Sequence, residues 1–158
     1  MNREKSGFAV VVGATGTMGS AVVHKFVERG IPILAVARNK DKLAELATHN
    51  DLITTCAADI GQNISIEQIG KHLKAPVRMA VFAAGLPVRG SVETMDPDSL
   101  ALGANIKLRG VVRLLRAVKG HFQEQHARFV VCAGSHGVEP TALEAGPGAI
   151  NAGLFNLM

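Results

Sequence analysis

A doubly wound α/β domain, with helices packed on both faces of a parallel sheet, is the fold class this sequence predicts. Three observations carry the expectation. Strand-like apolar runs alternate with helical patterns in the order βαβαβαβαβα, which implies right-handed crossovers onto a parallel sheet. The first run, Phe8, Ala9, Val10, Val11 and Val12, is apolar without a break, as a strand buried on both faces would be. Three glycines follow it, Gly13, Gly16 and Gly19, and a helical pattern opens among them with Met18, Val22, Val23, Phe26 and Val27.

Taken in order, the first helix runs to about Arg29, with Gly30 as its stop. Residues 31–37 (IPILAVA) form a second strand, ended by Arg38 and Asn39. A short helix over residues 40–48 turns Leu43 and Leu46 inward, and a third strand over residues 53–57 leads to Asp59 and Ile60. Ser65 followed by Gln68 reads as a capping box for a helix over residues 66–73. The fourth strand covers residues 77–82 and closes on Ala83, Ala84 and Gly85. Asp96 before Pro97 is a strong helix start, and the helix it opens is expected to run to about residue 125. A fifth strand over residues 129–132, a glycine-rich loop and a last helix from about Gly148 complete the pattern. No internal repeat, low-complexity segment or linker interrupts it. The last helix carries Leu154, Phe155, Leu157 and Met158, an apolar face that needs a partner in the core or on another subunit.

Composition narrows the class. The 158 residues fit one domain with a proper core, and 47% hydrophobic content with only 4% aromatic suits an aliphatic sheet covered by helices. A net charge of +4 fits an acidic ligand. The chain has no Trp and no Tyr, so it lacks the stacking platforms of a single-strand nucleic-acid binder, and a phosphate-bearing cofactor is the better expectation. Cys56 and Cys132 lie in or beside apolar runs and read as buried, reduced thiols. The six histidines fall in no ligand spacing, so no metal site is expected. No signal peptide or membrane-length apolar run is visible, so a cytoplasmic location is expected, with neither nucleic acid nor membrane as partner.

The chemistry gathers at the strand ends. Glycines let a backbone turn tightly against a pyrophosphate, and a helix N-terminus offers free N–H groups and a positive dipole end. Gly13, Thr15, Gly16, Thr17, Met18 and Gly19 are therefore the candidate phosphate cradle, although the spacing is G-x-x-G-x-x-G and a ligand-free structural turn is the alternative. Sites for NAD place an acid at the end of the second strand for the ribose 2′-hydroxyl, whereas an arginine there accepts a 2′-phosphate through its fork of donors. Arg38 occupies that place, so NADP is expected over NAD; the alternative is an ordinary solvated arginine. Asp59 reads equally as an adenine contact or a strand-end turn residue. Ser135 reads equally as a group that orients a carbonyl or as turn chemistry, and His136 beside it as a loop residue. Arg109, Arg113, Arg116 and Lys119 share one helical face, expected to be solvated; a basic stripe for an acidic partner is the alternative.

Together these stretches resemble the short-chain dehydrogenase/reductase family, over essentially all 158 residues. Residues 13–19 (GATGTMG) resemble the glycine motif of its extended and atypical branches, and residues 37–43 (ARNKDKL) the stretch after the second strand in its classical NADP-linked members. Asp59-Ile60 matches the pair that usually contacts adenine, and Asn105 stands in a stretch, NIKLRG, like the family's long-helix asparagine motif. Ser135 falls where the fifth strand presents the active-site serine. The resemblance implies a single Rossmann domain, a dinucleotide held by residues 13–19, Arg38, Asn39, Asp59, Ile60, Ala83, Ala84 and Gly85, and a carbonyl or alcohol substrate. It also implies self-association through the long helix and the last one.

Three departures accompany it. Ala83-Ala84-Gly85 after Phe82 keeps the alanine and glycine of the family's Asn-Asn-Ala-Gly but neither asparagine. The family's Tyr-x-x-x-Lys pair falls on Pro147 and Asn151, and its later strands and substrate-binding segment are not in this sequence, so the chain reads as truncated or completed by a partner. Two functions stand as expectations. One is an NADP(H)-linked oxidoreductase of this class; the other is a non-catalytic dinucleotide-binding or assembly protein.

Overall fold

In a computed structural model, residues 7–48, 50–122 and 127–158 are described. The elements are β1 (Phe8–Val12), α1 (Thr17–Glu28), β2 (Ile33–Ala37), α2 (Lys40–Ala47), β3 (Ile53–Ala57), α3 (Ser65–Gly70), β4 (Val77–Phe82), α4 (Pro97–Ala104), α5 (Gly110–Val118), β5 (Arg128–Val131) and α6 (Ala145–Leu157). All strand pairings are parallel and the sheet order is β3-β2-β1-β4-β5. The doubly wound fold expected from the sequence is the fold observed.

Period-two alternation explains why helices cover both faces. Val10 and Val12 of β1, with Leu34 and Val36 of β2, join the core that α3, α5 and α6 close through Ile69, Leu114 and Leu154. Their neighbours Val11, Ile33 and Ala35 point the other way, into a core closed by Val23 of α1 and Leu43 of α2. Every residue of β2 is buried, so the absence of a polar position in ILAVA has its physical reason. At the edge, β5 pairs only with β4, and Val130 is 42% exposed.

Several boundaries differ from the sequence expectation. The second strand begins at Ile33 rather than residue 31, because Pro32 has no N–H and contributes only its carbonyl, which accepts from Ala9 N. The capping box at Ser65 does not form. Ser65 is fully buried inside the helix, donates its hydroxyl to the Gln62 carbonyl at 2.7 Å, and leaves the cap position to Ile64. The helix then ends at Gly70 instead of reaching residue 73. Asp96 does cap α4, accepting from Ser99 N at 2.9 Å.

The long helix expected to residue 125 is divided. A π-helical turn over Asn105–Arg109 joins α4 to α5, and a 3-10 turn, Lys119–His121, ends the run. Residues 123–126, the expected end, lie outside the described residues. The fifth strand and last helix start earlier than expected, at Arg128 and Ala145. Pro147 fits in the first turn of α6, where a missing N–H has no intrahelical partner to lose. Of the apolar C-terminal face, Leu154 is 1% exposed and belongs to the core, while Phe155, Leu157 and Met158 remain exposed. Leu154→Ala is therefore expected to cost about 2–5 kcal/mol of stability and Phe155→Ala less than about 0.5 kcal/mol, as read by urea denaturation.

Candidate dinucleotide cleft

The strand order reverses at β1: β2 lies on one side and β4 on the other, so the chain leaves β1 and β4 toward opposite faces. A crevice opens at the carboxyl ends of these strands. It is a cleft of about 200 Å³ lined by Gly13, Thr15, Gly16, Arg38, Asp59, Ile60, Ala83, Ala84 and Gly85, together with Val12, Val36, Ala37, Ala58 and Ile106. A larger hollow of about 420 Å³ lies at the opposite, amino ends of the strands, around Phe8, Ile33 and His72.

The glycine turn is built for closeness. Gly13 has φ +82°, and a Cβ on it would stand 2.7 Å from Ala84 N and 2.8 Å from Ala83 C, so β1 and β4 converge there with no room for a side chain. A Cβ on Gly19 would overlap the Gly13 carbonyl oxygen, so only glycine lets α1 start this close to the strand it follows. Gly16 is the N-cap of α1 and no side chain caps the helix; no acidic residue lies in its first turn. The first-turn N–H groups, those of Thr17, Met18 and Gly19, have no intrahelical acceptor. By contrast Asn39 caps α2, accepting from Lys42 N at 2.9 Å. A helix start left open beside glycines a Cβ would fill is chemically suited to an anionic phosphate.

The other candidate residues divide by position. Arg38 stands exposed at the cleft edge, at the end of β2. Asn39 is not on the cleft wall; its side chain is the α2 cap. Thr17, Met18 and Gly19 lie behind Gly16 in the first turn of α1 and do not line the cleft with side chains. Asp59 does line it while also organising its own turn: Oδ1 accepts from Gly61 N at 2.9 Å and Oδ2 from Gln62 Nε2 at 3.4 Å. The turn reading and the cleft position thus hold for one residue.

Toward β5, Ser135 opens a 3-10 turn, Ser135–Gly137, and its carbonyl accepts from Val138 N and Glu139 N. Asn105 begins the π turn with both ends of its amide engaged: Nδ2 donates to the Gly61 carbonyl at 2.9 Å, and Oδ1 accepts from Arg113 Nη2 at 3.1 Å. Asn151, at the expected lysine position, is 5% exposed; Oδ1 accepts from Gly134 N at 2.9 Å and Nδ2 donates to the Pro147 carbonyl at 2.8 Å. It ties the Ser135 loop to α6 and carries no charge. Lys107, on the π turn, is half-buried; desolvation draws its pKa below the usual amine range, and Cys132 opposes that shift.

Arg113 departs from the solvated basic face that the sequence predicts: the residue is 4% exposed. Its neighbours Arg109, Arg116 and Lys119 are exposed as expected. The available signal was the small buried pair Gly110 and Ala117, three residues before and four after it on the same helical face. The unforeseen wall residues Val12, Val36, Ala37 and Ala58 are strand-end neighbours of residues already singled out, and Ile106 follows Asn105 on the π turn. Asn151→Ala would strand the half-buried Gly134 N–H and Pro147 carbonyl. It is expected to cost about 1–3 kcal/mol of stability, measured by thermal or urea unfolding.

Comparison with known proteins agrees with this arrangement. Residues 7–152 match the family model described as short chain dehydrogenase. An uncharacterized oxidoreductase from Staphylococcus epidermidis is 24% identical over 159 residues, covering 98% of this chain and 69% of the relative. The 3-ketodihydrosphingosine reductase of Bos taurus is 29% identical over 138 residues, covering 80% of this chain and 42% of the reductase. The solved closed form of serine dehydrogenase complexed with NADP+ superposes with a TM-score of 0.88 at 22% identity, over 94% of this chain and 62% of that one. The chain thus spans less than two thirds of two of these three proteins.

Proposed function

The chain belongs to the short-chain dehydrogenase family, and on that premise we propose that it binds NADP(H), with the cofactor site intact and the usual proton-transfer pair replaced. The observation that carries the reading is the junction of an uncapped α1 N-terminus, a Gly13 turn closed against Ala83 and Ala84, and Arg38 at the same cleft. In this reading the residue 13–19 turn holds the pyrophosphate, the Arg38 guanidinium the 2′-phosphate, and Asp59 with Ile60 the adenine. Ala83, Ala84 and Gly85 form the floor beyond the phosphates, and Asn39 fixes the start of α2 just behind Arg38. A nicotinamide dinucleotide gives or accepts a hydride when bound.

At the reaction end the chain's own groups are few. Ser135 offers a hydroxyl that can polarise a carbonyl, and Asn105 braces the cleft wall through the Gly61 carbonyl. Pro147 has no proton to give, and Asn151 has no charge with which to shift a neighbour's pKa. His136, next to Ser135, is the imidazole in that loop. The substrate class that follows is a carbonyl or alcohol, handled without the acid–base group that normally contributes about 10²–10⁴-fold. Positioning alone still favours transfer to a very reactive dicarbonyl or quinone. Self-association through the α4–α5 run and α6 belongs to the same proposal, resting on the exposed Phe155, Leu157 and Met158.

Calorimetric titration tests the cofactor half. NADP(H) should bind more tightly than NAD(H), and Arg38→Ala should weaken NADP(H) about tenfold or more while leaving NAD(H) nearly unchanged. Equal weakening of both would make Arg38 structural. NADPH oxidation tests the other half: simple ketones should show little or no turnover, and robust turnover surviving His136→Ala would reveal a proton donor outside this account.

A further inference from the structure

Arg113 is a buried cation with no carboxylate partner among the described residues. Among the described residues the ion pairs are Lys25–Glu28 and Lys71–Glu67, both exposed, and Arg113 enters neither. Its bonds go to neutral oxygens instead. Nε donates to Asn63 Oδ1 at 2.9 Å, Nη1 to the Ile60 carbonyl at 3.1 Å and to the Asn105 carbonyl at 3.2 Å, and Nη2 to Asn105 Oδ1 at 3.1 Å. Asn105 closes the ring by donating to the Gly61 carbonyl. Two segments far apart in sequence are thereby joined through one planar fork: the loop after Asp59, and the first residue of the π turn. Each also contributes to the cleft, the loop through Asp59 and Ile60 and the turn through Ile106.

Burying a guanidinium is costly unless all its donors are met, and a π turn is a strained insertion in a helix that needs something to hold it. A lysine could not do the same work, because a single ammonium cannot reach the loop and both oxygens of Asn105 at once. Desolvation and the nearby Arg109 draw the Arg113 pKa down and Asp59 pulls it back up, so the cation lies within electrostatic reach of the cleft carboxylate.

We propose that Arg113 is a positioning residue for the cleft: it locks the residue 59–63 loop to the π turn, and so holds Asp59, Ile60 and Ile106 in the shape that receives the adenine half of the dinucleotide. This rests on the reading of the cleft given above. It differs from the role of Arg38, since it bears on the part common to both dinucleotides.

The test uses the full chain, with NADP(H), NAD(H) and adenosine 5′-monophosphate titrated against wild type, Arg113→Met, Arg113→Lys and Val118→Ala. Val118→Ala lowers core stability at the far end of α5 without touching the ring. Arg113→Met should weaken all three ligands by a common factor of about tenfold, leave the NADP(H)/NAD(H) ratio unchanged, and not be rescued by Arg113→Lys. Val118→Ala should lower the melting temperature and leave all three affinities alone. Should Arg113→Met not fold, Asn63→Ala removes only the part-buried Nε contact and should give a smaller loss, about threefold, in the same pattern. Hydrogen exchange on the ligand-free protein provides an independent readout: the amides of residues 61–63 and 105–109 should exchange faster together in Arg113→Met. Wild-type affinities in folded Arg113→Met, or unchanged exchange in both segments, overturn the proposal. Wild-type protein that binds none of the three ligands would sink the cofactor reading, and the exchange result alone would then decide whether Arg113 joins the two segments.

Discussion

Everything at the working edge of this molecule depends on how closely the backbone after β1 approaches the backbone after β4. Gly13 meets Ala83 and Ala84 at a distance that admits no Cβ, and Gly19 meets the Gly13 carbonyl in the same way. These two steric facts bring α1 down onto the sheet and leave its first N–H groups at the mouth of the crevice rather than beside it. The sheet order follows the same logic. With β1 central and its neighbours reached by crossovers on opposite faces, a gap at the carboxyl ends is a topological necessity. The two cores beneath, one on each face, are what make the close approach stable.

Much of this was legible because it is local. The apolar runs of β1 and β2, the glycines and the Asp96-Pro97 start each announce a structure within a few residues, and the strand order follows from alternation plus handedness. What escaped the sequence was set by contacts between distant segments. Ser65 looks like a cap because it precedes a helical pattern, but the turn at Gln62 draws it inside the helix and takes its hydroxyl. Arg113 looks solvated beside Arg109 and Arg116, and only the loop from Ile60 to Asn63, some fifty residues earlier, covers it. Asn105 could be assigned to a bend in the helix, but not to a particular pair of partners.

The region near Ser135 has a different character from the glycine-turn end of the cleft. At that end, helix-start donors are left free and Arg38 is exposed. Around Ser135 the polar groups of Asn151 are matched to Gly134 N and to the Pro147 carbonyl, and the first turn of α6 includes a residue without an N–H. A neutral amide in that place satisfies its neighbours completely and imposes no field on them. The packing of α6 against the Gly134 loop is thereby served by an uncharged side chain.

The π turn between α4 and α5 has a bearing on how the helix is read. A wide turn accommodates one more residue than an α-helix over the same axial advance, so the angular count is shifted by about 100° across it. A heptad or 3.6-residue pattern started at Pro97 cannot be carried past Arg109 without losing phase, and each half has its own inward face. Deleting a single residue between 105 and 109 would therefore close the wide turn into an ordinary α-helix, and α5 would keep the face that now puts Arg113 under the loop.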